Sequence, residues 1–161
     1  MKKACLDLTV SSIDHLNEKY VLIKLTSQDA MPPMAPGQFV EVKVEKSPNT
    51  FLRRPISIHN FDAETNELWL LVARIGDGTR QMGELHVGDT LNCVLPLGNG
   101  FTMPDTADKR LLLVGGGVGV APLLYFGAEI KKMGGRPSFL LGARTKTDLL
   151  QLELFEALGD V

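Results

Sequence analysis

The hydrophobic pattern of this chain changes near residue 104, and that change limits the folds open to it. Before it, apolar residues recur with a period of two, most plainly in Phe39-Val40-Glu41-Val42-Lys43-Val44. That spacing buries one face of a β-strand. After it, apolar residues come in solid runs such as Leu111-Leu112-Leu113-Val114, separated by glycines. A solid run of this length suits a parallel strand covered on both faces. The chain therefore reads as two architectures in series.

In the first part, strands are expected at Ala4–Ser12, Tyr20–Leu25, Gln38–Val44, Pro55–Phe61, Glu67–Ile75 and Thr90–Leu95. Asp14–Lys19, Asp62–Asn66 and Gly88-Asp89 supply turn residues between them, and Pro32–Gly37 is a stiff connecting loop. Gly76-Asp77-Gly78 breaks one strand, and Thr79 is expected to cap a short helix through Leu85. Six or seven short antiparallel strands with one inserted helix predict a closed Greek-key barrel, which leaves no exposed sheet edge. This assigns residues 1–103 to a barrel domain and Pro104–Lys109 to a linker.

Residues 110–161 read as β-α-β-α. The strands are Arg110–Val114 and Pro137–Leu141, the first helix is Ala121–Met133, and a second helix starts at Thr145 or Thr147 and runs through Leu158. This is the opening of a doubly wound nucleotide-binding domain, shorter than one βαβαβ half. The second domain is accordingly read as incomplete and the polypeptide as a fragment.

Composition narrows the function classes. Of 161 residues, 44% are hydrophobic and 22% charged, so a packed core is available. A formal net charge of −2 without a Lys/Arg run argues against nucleic acid. The longest apolar stretch, Leu111–Phe126, is interrupted by glycines and a proline, so no membrane span is expected. Asp7 arrives before a signal-peptide core develops, which favours a cytoplasmic location. Cys5 and Cys93 both read as buried thiols. Two cysteines cannot hold a four-thiolate cluster, and the three histidines lack metal-ligand spacing.

Three segments carry chemistry. In Arg53-Arg54-Pro55-Ile56-Ser57-Ile58, successive side chains point to opposite faces, so only one arginine can meet a ligand. A planar guanidinium grips a pyrophosphate through two parallel hydrogen bonds. Pro55 removes an N–H, as suits a strand edge that faces a ligand instead of another strand. Ser57 is small enough for a flat ring system to approach, and His59 is expected at the strand end in contact with solvent. Gly76-Asp77-Gly78-Thr79 places glycine N–H groups and a helix start where a phosphate can sit. Gly115-Gly116-Gly117-Val118-Gly119-Val120-Ala121-Pro122 lies between a buried strand and a helix, the context of a dinucleotide cradle. Pro122 costs no hydrogen bond in the first helical turn. The second strand ends in Gly142-Ala143-Arg144-Thr145, without the acidic residue that usually holds a ribose diol. Arg144 offers a cation there for ribose or phosphate oxygens.

Together these segments resemble the ferredoxin-reductase-like flavoprotein superfamily, in which a flavin barrel precedes a nicotinamide domain. Within it, Arg53–Ile58 and Pro96–Phe101 are most similar to the electron-transfer subunits of class 1B dihydroorotate dehydrogenases. Many other branches carry Tyr where Ile56 stands. The resemblance implies an antiparallel Greek-key FAD-binding barrel followed by an incomplete doubly wound NAD-binding domain. It implies that Arg54, Pro55, Ile56 and Ser57 meet FAD, that Leu71, Val72 and Ala73 run beside it, and that Gly78 and Thr79 bind its pyrophosphate. Gly116, Gly117, Gly119, Ala121 and Pro122 are then expected to receive NAD. It further implies an oxidoreductase component of pyrimidine biosynthesis, a [2Fe–2S] cluster only in the complete protein, and a dihydroorotate dehydrogenase catalytic subunit as partner in a heterotetramer. No acid–base dyad or nucleophile is called for. The alternatives are a free-standing ferredoxin- or flavodoxin-type NAD(P)H reductase and a non-redox binding module.

Overall fold

A computed structural model describes residues 2–45, 47, 50–105 and 108–161. Six strands close into an antiparallel barrel: β1 (Ala4–His15), β2 (Tyr20–Thr26), β3 (Phe39–Val42), β4 (Arg54–Asp62), β5 (Glu67–Ala73) and β6 (Thr90–Leu97). Around the barrel the order is β1-β2-β5-β4-β3-β6, and β6 pairs back onto β1 from Ala4↔Leu95 to Thr9↔Thr90. The period-two reading explains the interior. Leu8 and Val10, Val21, Ile23 and Leu25, Val40 and Val42, and Leu68, Leu70 and Val72 alternate inward and are almost fully buried. Each such side chain contributes roughly 1.5–3 kcal/mol by leaving water.

Helix α1 (Asp77–Met82) leaves the end of β5 and plugs the barrel with Met82, which is 1% exposed. It starts two residues before the expected cap and ends at Gly83, not Leu85. A Cβ at Gly83 would meet the Arg74 side chain at 2.5 Å, so a larger residue there would require Arg74 to move.

The second part contains β7 (Leu112–Gly116), a 3₁₀ turn at Gly117–Val120, α2 (Ala121–Lys132) and β8 (Ser138–Gly142). β7 and β8 are parallel, in register from Leu112↔Ser138 to Gly116↔Gly142. One side of this pair packs on α2 and on α3 (Leu152–Glu156) through Leu113, Phe139 and Phe155. Gly127 in α2 lets the helix sit on Phe139; a Cβ would fall 2.5 Å from that ring. The other side is open: Leu112, Val114 and Leu140 are each at least 60% exposed. The expectation of burial on both faces fails for this chain because no described element packs against that side. The expected second helix is also shorter, a 3₁₀ turn at Lys146–Asp148 followed by α3. Gln151, with φ 53°, separates the two pieces.

The barrel and the parallel pair share a packed boundary. α2 lies across β4; Tyr125 reaches the barrel core and donates its hydroxyl to Met34 O at 3.0 Å. Phe126 packs on Phe101, with ring centroids 4.9 Å apart. Of the two cysteines, only Cys93 is buried; Cys5 is exposed, since at the start of β1 its side chain points outward.

The open face makes adjacent positions on β7 inequivalent. Leu113→Ala should cost about 2–5 kcal/mol in denaturant unfolding of this chain. Leu112→Ala should stay within about 0.5 kcal/mol.

Candidate functional site

The barrel closes incompletely where β4 meets β5. β4 pairs with β3 from Arg54↔Val42 to Ser57↔Phe39. Its pairing with β5 begins only at Ile58↔Leu70 and runs to Asp62↔Glu67. Arg54 to Ser57 therefore present an unpaired backbone edge toward the last residues of β5, and Pro55 withholds one N–H from that edge. The proline that looked suited to a ligand-facing edge lies on one.

A cavity of about 560 Å³ fills this wedge. Arg54, Pro55, Ile56, Ser57, Leu71, Ala73, Gly78, Thr79, Gly119 and Ala121 line it. A second cavity of about 590 Å³ lies between the barrel and the carboxyl ends of β7 and β8, with Gly116 and Gly117 in its wall. Ala73, Ile75 and Val118 line both, so the two form adjoining parts of one trough. Val72 and Pro122 line neither: the Val72 side chain faces the barrel core, and Pro122 sits in the first turn of α2. Residues without a strong local signal, Thr50, Lys19 and Tyr20, also line the trough, since tertiary contact alone brings them there.

The two arginines part company as strand geometry requires. Arg53 turns to the barrel wall, donating to Glu41 O (3.2 Å), Asn92 O (3.1 Å) and Asn92 Oδ1 (2.5 Å), and so ties β3 to β6. Arg54 faces the cavity. Among the described residues only its Nε is engaged, with Leu52 O at 3.2 Å. Its side chain lies over Gly78, where a Cβ would meet Arg54 Cγ at 3.3 Å. The two phosphate-suited segments thus touch.

Gly76, not Thr79, is the N-cap of α1. The Thr79 hydroxyl accepts from the N–H groups of Ile75 and Gly76, both at 3.1 Å, and donates to Gly76 O. It braces the glycine turn from inside the helix, because threonine is at the third helical position, where a hydroxyl can reach back. The N–H groups of this first turn have no intrahelical acceptor and open toward the wedge.

The wall of the second cavity is basic. Lys19, Arg74 and Arg144 line the second cavity with Asp148, whose carboxylate is held below its ordinary range mainly by the hydrogen bond from Lys19 at 2.8 Å. Arg74 pairs with Glu84 at 2.6 Å.

His59 departs from expectation. It is fully buried, with Nδ1 2.7 Å from Ala121 O and Nε2 2.8 Å from the Gln151 side-chain amide. The register between β4 and β5 shifts between Ile58 and Asn60, so His59 is the extra residue of a bulge. Like Ser57 two residues earlier, it faces outward from the barrel, while Ile56 and Ile58 face the core. α2 packs over this outer face of β4 and covers His59. Burial pushes its pKa below 6.5, against the opposing pull of the hydrogen bonds to Ala121 and Gln151.

No protein-family model matches the chain. It is 36% identical over 154 residues to the "Dihydroorotate dehydrogenase B (NAD(+)), electron transfer subunit" of Geobacillus kaustophilus (strain HTA426), covering 95% of this chain and 60% of that one. The chain thus spans about three-fifths of that relative. Among solved structures, the NADH-dependent reduced ferredoxin-NADP oxidoreductase is 27% identical, with a TM-score of 0.82 over 98% of this chain and 56% of the other. The fold is that of the ferredoxin reductases. Phthalate dioxygenase reductase, described as passing electrons from pyridine nucleotides to [2Fe–2S], is also 27% identical, with a TM-score of 0.72 over 87% of this chain and 43% of that protein. No helix among the described residues is long and apolar enough to cross a membrane.

Two measurements check this geometry. Arg53→Ala should destabilise the chain by about 1.5–3 kcal/mol, because the barrel loses charge-assisted hydrogen bonds. Arg54→Ala should leave the stability of the ligand-free chain within about 0.5 kcal/mol. For His59, the unfolded chain takes up a proton before the folded one does. Stability is therefore fully present above about 6.5 and falls as the pH drops below it. His59→Asn should flatten that part of the stability profile, read from thermal melts at a series of pH values.

Proposed function

We propose that the trough is a dinucleotide site that holds FAD in the wedge and receives NAD(H) beside it. The observation that carries this reading is the convergence of Arg54, the unpaired edge of β4 and the Gly76–Thr79 turn on one cavity. The fit is chemical as well as spatial. A guanidinium facing the cavity and free first-turn N–H groups suit a diphosphate. An apolar wall at Ile56 and Leu71, with small residues at Ser57 and Ala73, suits a flat ring. The basic second cavity beside Gly116 and Gly117 suits the phosphates of a second nucleotide.

Residues 1–103 then act as the FAD-binding barrel and residues 110–161 as the first part of the NAD-binding domain. Leu71 and Ala73 bound the flavin side, with Val72 between them turned into the barrel core. Gly119, Ala121 and Pro122 form the end of the nucleotide cradle, where α2 begins. When bound, FAD supplies the redox chemistry, taking up hydride from NADH and releasing single electrons. The chain's residues bind, orient and exclude water; no side chain is required as acid, base or nucleophile.

The similarity to dihydroorotate dehydrogenase B electron transfer subunits supports a specific setting. In it the longer protein is an NAD-linked oxidoreductase component of pyrimidine biosynthesis. It passes electrons between NAD(H) and a dihydroorotate dehydrogenase catalytic subunit in the cytoplasm. A [2Fe–2S] group held outside these residues, as in the reductase that passes electrons to [2Fe–2S], provides the exit. Among the described residues no cluster of His, Cys, Asp and Glu is suited to a metal ion.

The test is spectroscopic. The purified protein, given FAD and then gel-filtered, should retain the absorbance of bound flavin. Arg54→Ala should weaken that binding by about 2–3 kcal/mol. Protein that stays colourless, or an Arg54→Ala variant with unchanged FAD affinity, overturns the assignment.

A further inference from the structure

We infer that His59 is a positioning residue that sets the distance between the flavin wedge and the nucleotide cradle. The inference rests on the FAD/NAD reading of the trough and goes beyond it in naming what holds the two halves in register. Both halves must be fixed for the reaction to occur, because the two reacting rings come one from each.

His59 lies two residues past Ser57 on the strand that borders the wedge. Its ring spans to two points in the second part of the chain. One is Ala121 O, at the first residue of α2, and Ala121 itself lines the wedge cavity. The other is the side chain of Gln151, immediately before α3. A single imidazole thus ties β4 to the start of the cradle helix and to the segment behind it.

Proton accounting makes the joint directional. Ala121 O can only accept, so Nδ1 must carry the hydrogen. The buried ring is neutral, so Nε2 has a lone pair and needs a donor. A half-turn of the Gln151 amide, which exchanges its oxygen and nitrogen, presents N–H to it. Both ring nitrogens are then satisfied in a site without solvent, and the ring has one orientation.

The backbone of Gln151 carries a second, independent mark. Its φ of 53° and ψ of 39° place a non-glycine residue in the left-handed region. Such a conformation is unfavourable for a residue with a Cβ and persists where surrounding contacts over-determine it. Glycine would serve this turn better if conformation alone mattered. A residue with a side-chain amide stands there, and that amide meets His59.

Geometry at this joint is transmitted directly. α2 begins at Ala121, straight after the Gly117–Val120 turn, and the helix is a rigid element. A shift of Ala121 against β4 moves Val118 and Gly119 against Ser57 across the cavity they share. A displacement near 1 Å is enough to change a reaction rate on the order of 100-fold.

The experiment uses the full-length protein. Flavin reduction by NADH is followed by stopped-flow absorbance in the wild type and in His59→Leu, His59→Asn and Gln151→Gly. His59→Leu should keep its FAD and bind NADH within about twofold of wild type, while the reduction rate at saturating NADH falls roughly 10–100-fold. The nicotinamide–flavin charge-transfer band should weaken with it. His59→Asn, which retains a donor for Ala121 O, should recover most of the rate. Gln151→Gly removes the amide without backbone strain, so it remains informative if His59→Leu does not fold; its rate should also fall. An unchanged rate per bound flavin in His59→Leu or Gln151→Gly overturns the inference. Absence of flavin binding in the wild type overturns the functional reading instead.

Discussion

The parting of β4 from β5 beyond Ile58 is the constraint on which the rest of this structure depends. A closed barrel satisfies its backbone by pairing every strand on both sides, and here one half-strand is deliberately left without a second partner. An unpaired edge inside a fold is costly unless something else accepts its hydrogen bonds. The chain lowers the cost with Pro55, which has no N–H, and by turning the edge into a cavity wall.

The wedge also decides how the remaining elements are used. Because β5 leaves the pairing early, its end delivers Gly76 and α1 to the same opening. Gly78 allows Arg54 to lie across the helix start, so two weak phosphate signals separated by one strand become one site. On the same strand His59 faces away from the barrel, as Ser57 does, and α2 covers it. Aromatic contact between Phe101 and Phe126 and the Tyr125 bond to Met34 then fix the helix that carries the glycine turn. The wedge and the packing of α2 thus lie side by side on one strand.

Charge is distributed unevenly along the trough. Arg54 and Asp77 are the charged residues that line the wedge, among otherwise apolar or small side chains. The neighbouring cavity gathers Lys19, Arg74 and Arg144 from both parts of the chain. Two of these come from the barrel, so the second cavity is made at the boundary, not within the parallel pair.

Local pattern was enough to determine the strands, the barrel class, the glycine turns and the choice of one arginine from two, because side-chain alternation and backbone freedom act over a few residues. It also determined that a glycine-rich turn follows a strand and precedes a helix. Only the tertiary structure decided that Gly76 caps α1 while Thr79 braces it, that the face of β7 bearing Leu112 and Val114 is open, and that Cys5 is exposed. The clearest case is His59, expected at a strand end in contact with solvent. It faces outward as Ser57 does, but α2 covers it, and its partners lie 62 and 92 positions away. Contacts at that range are set by how elements pack, and no spacing along the chain encodes them.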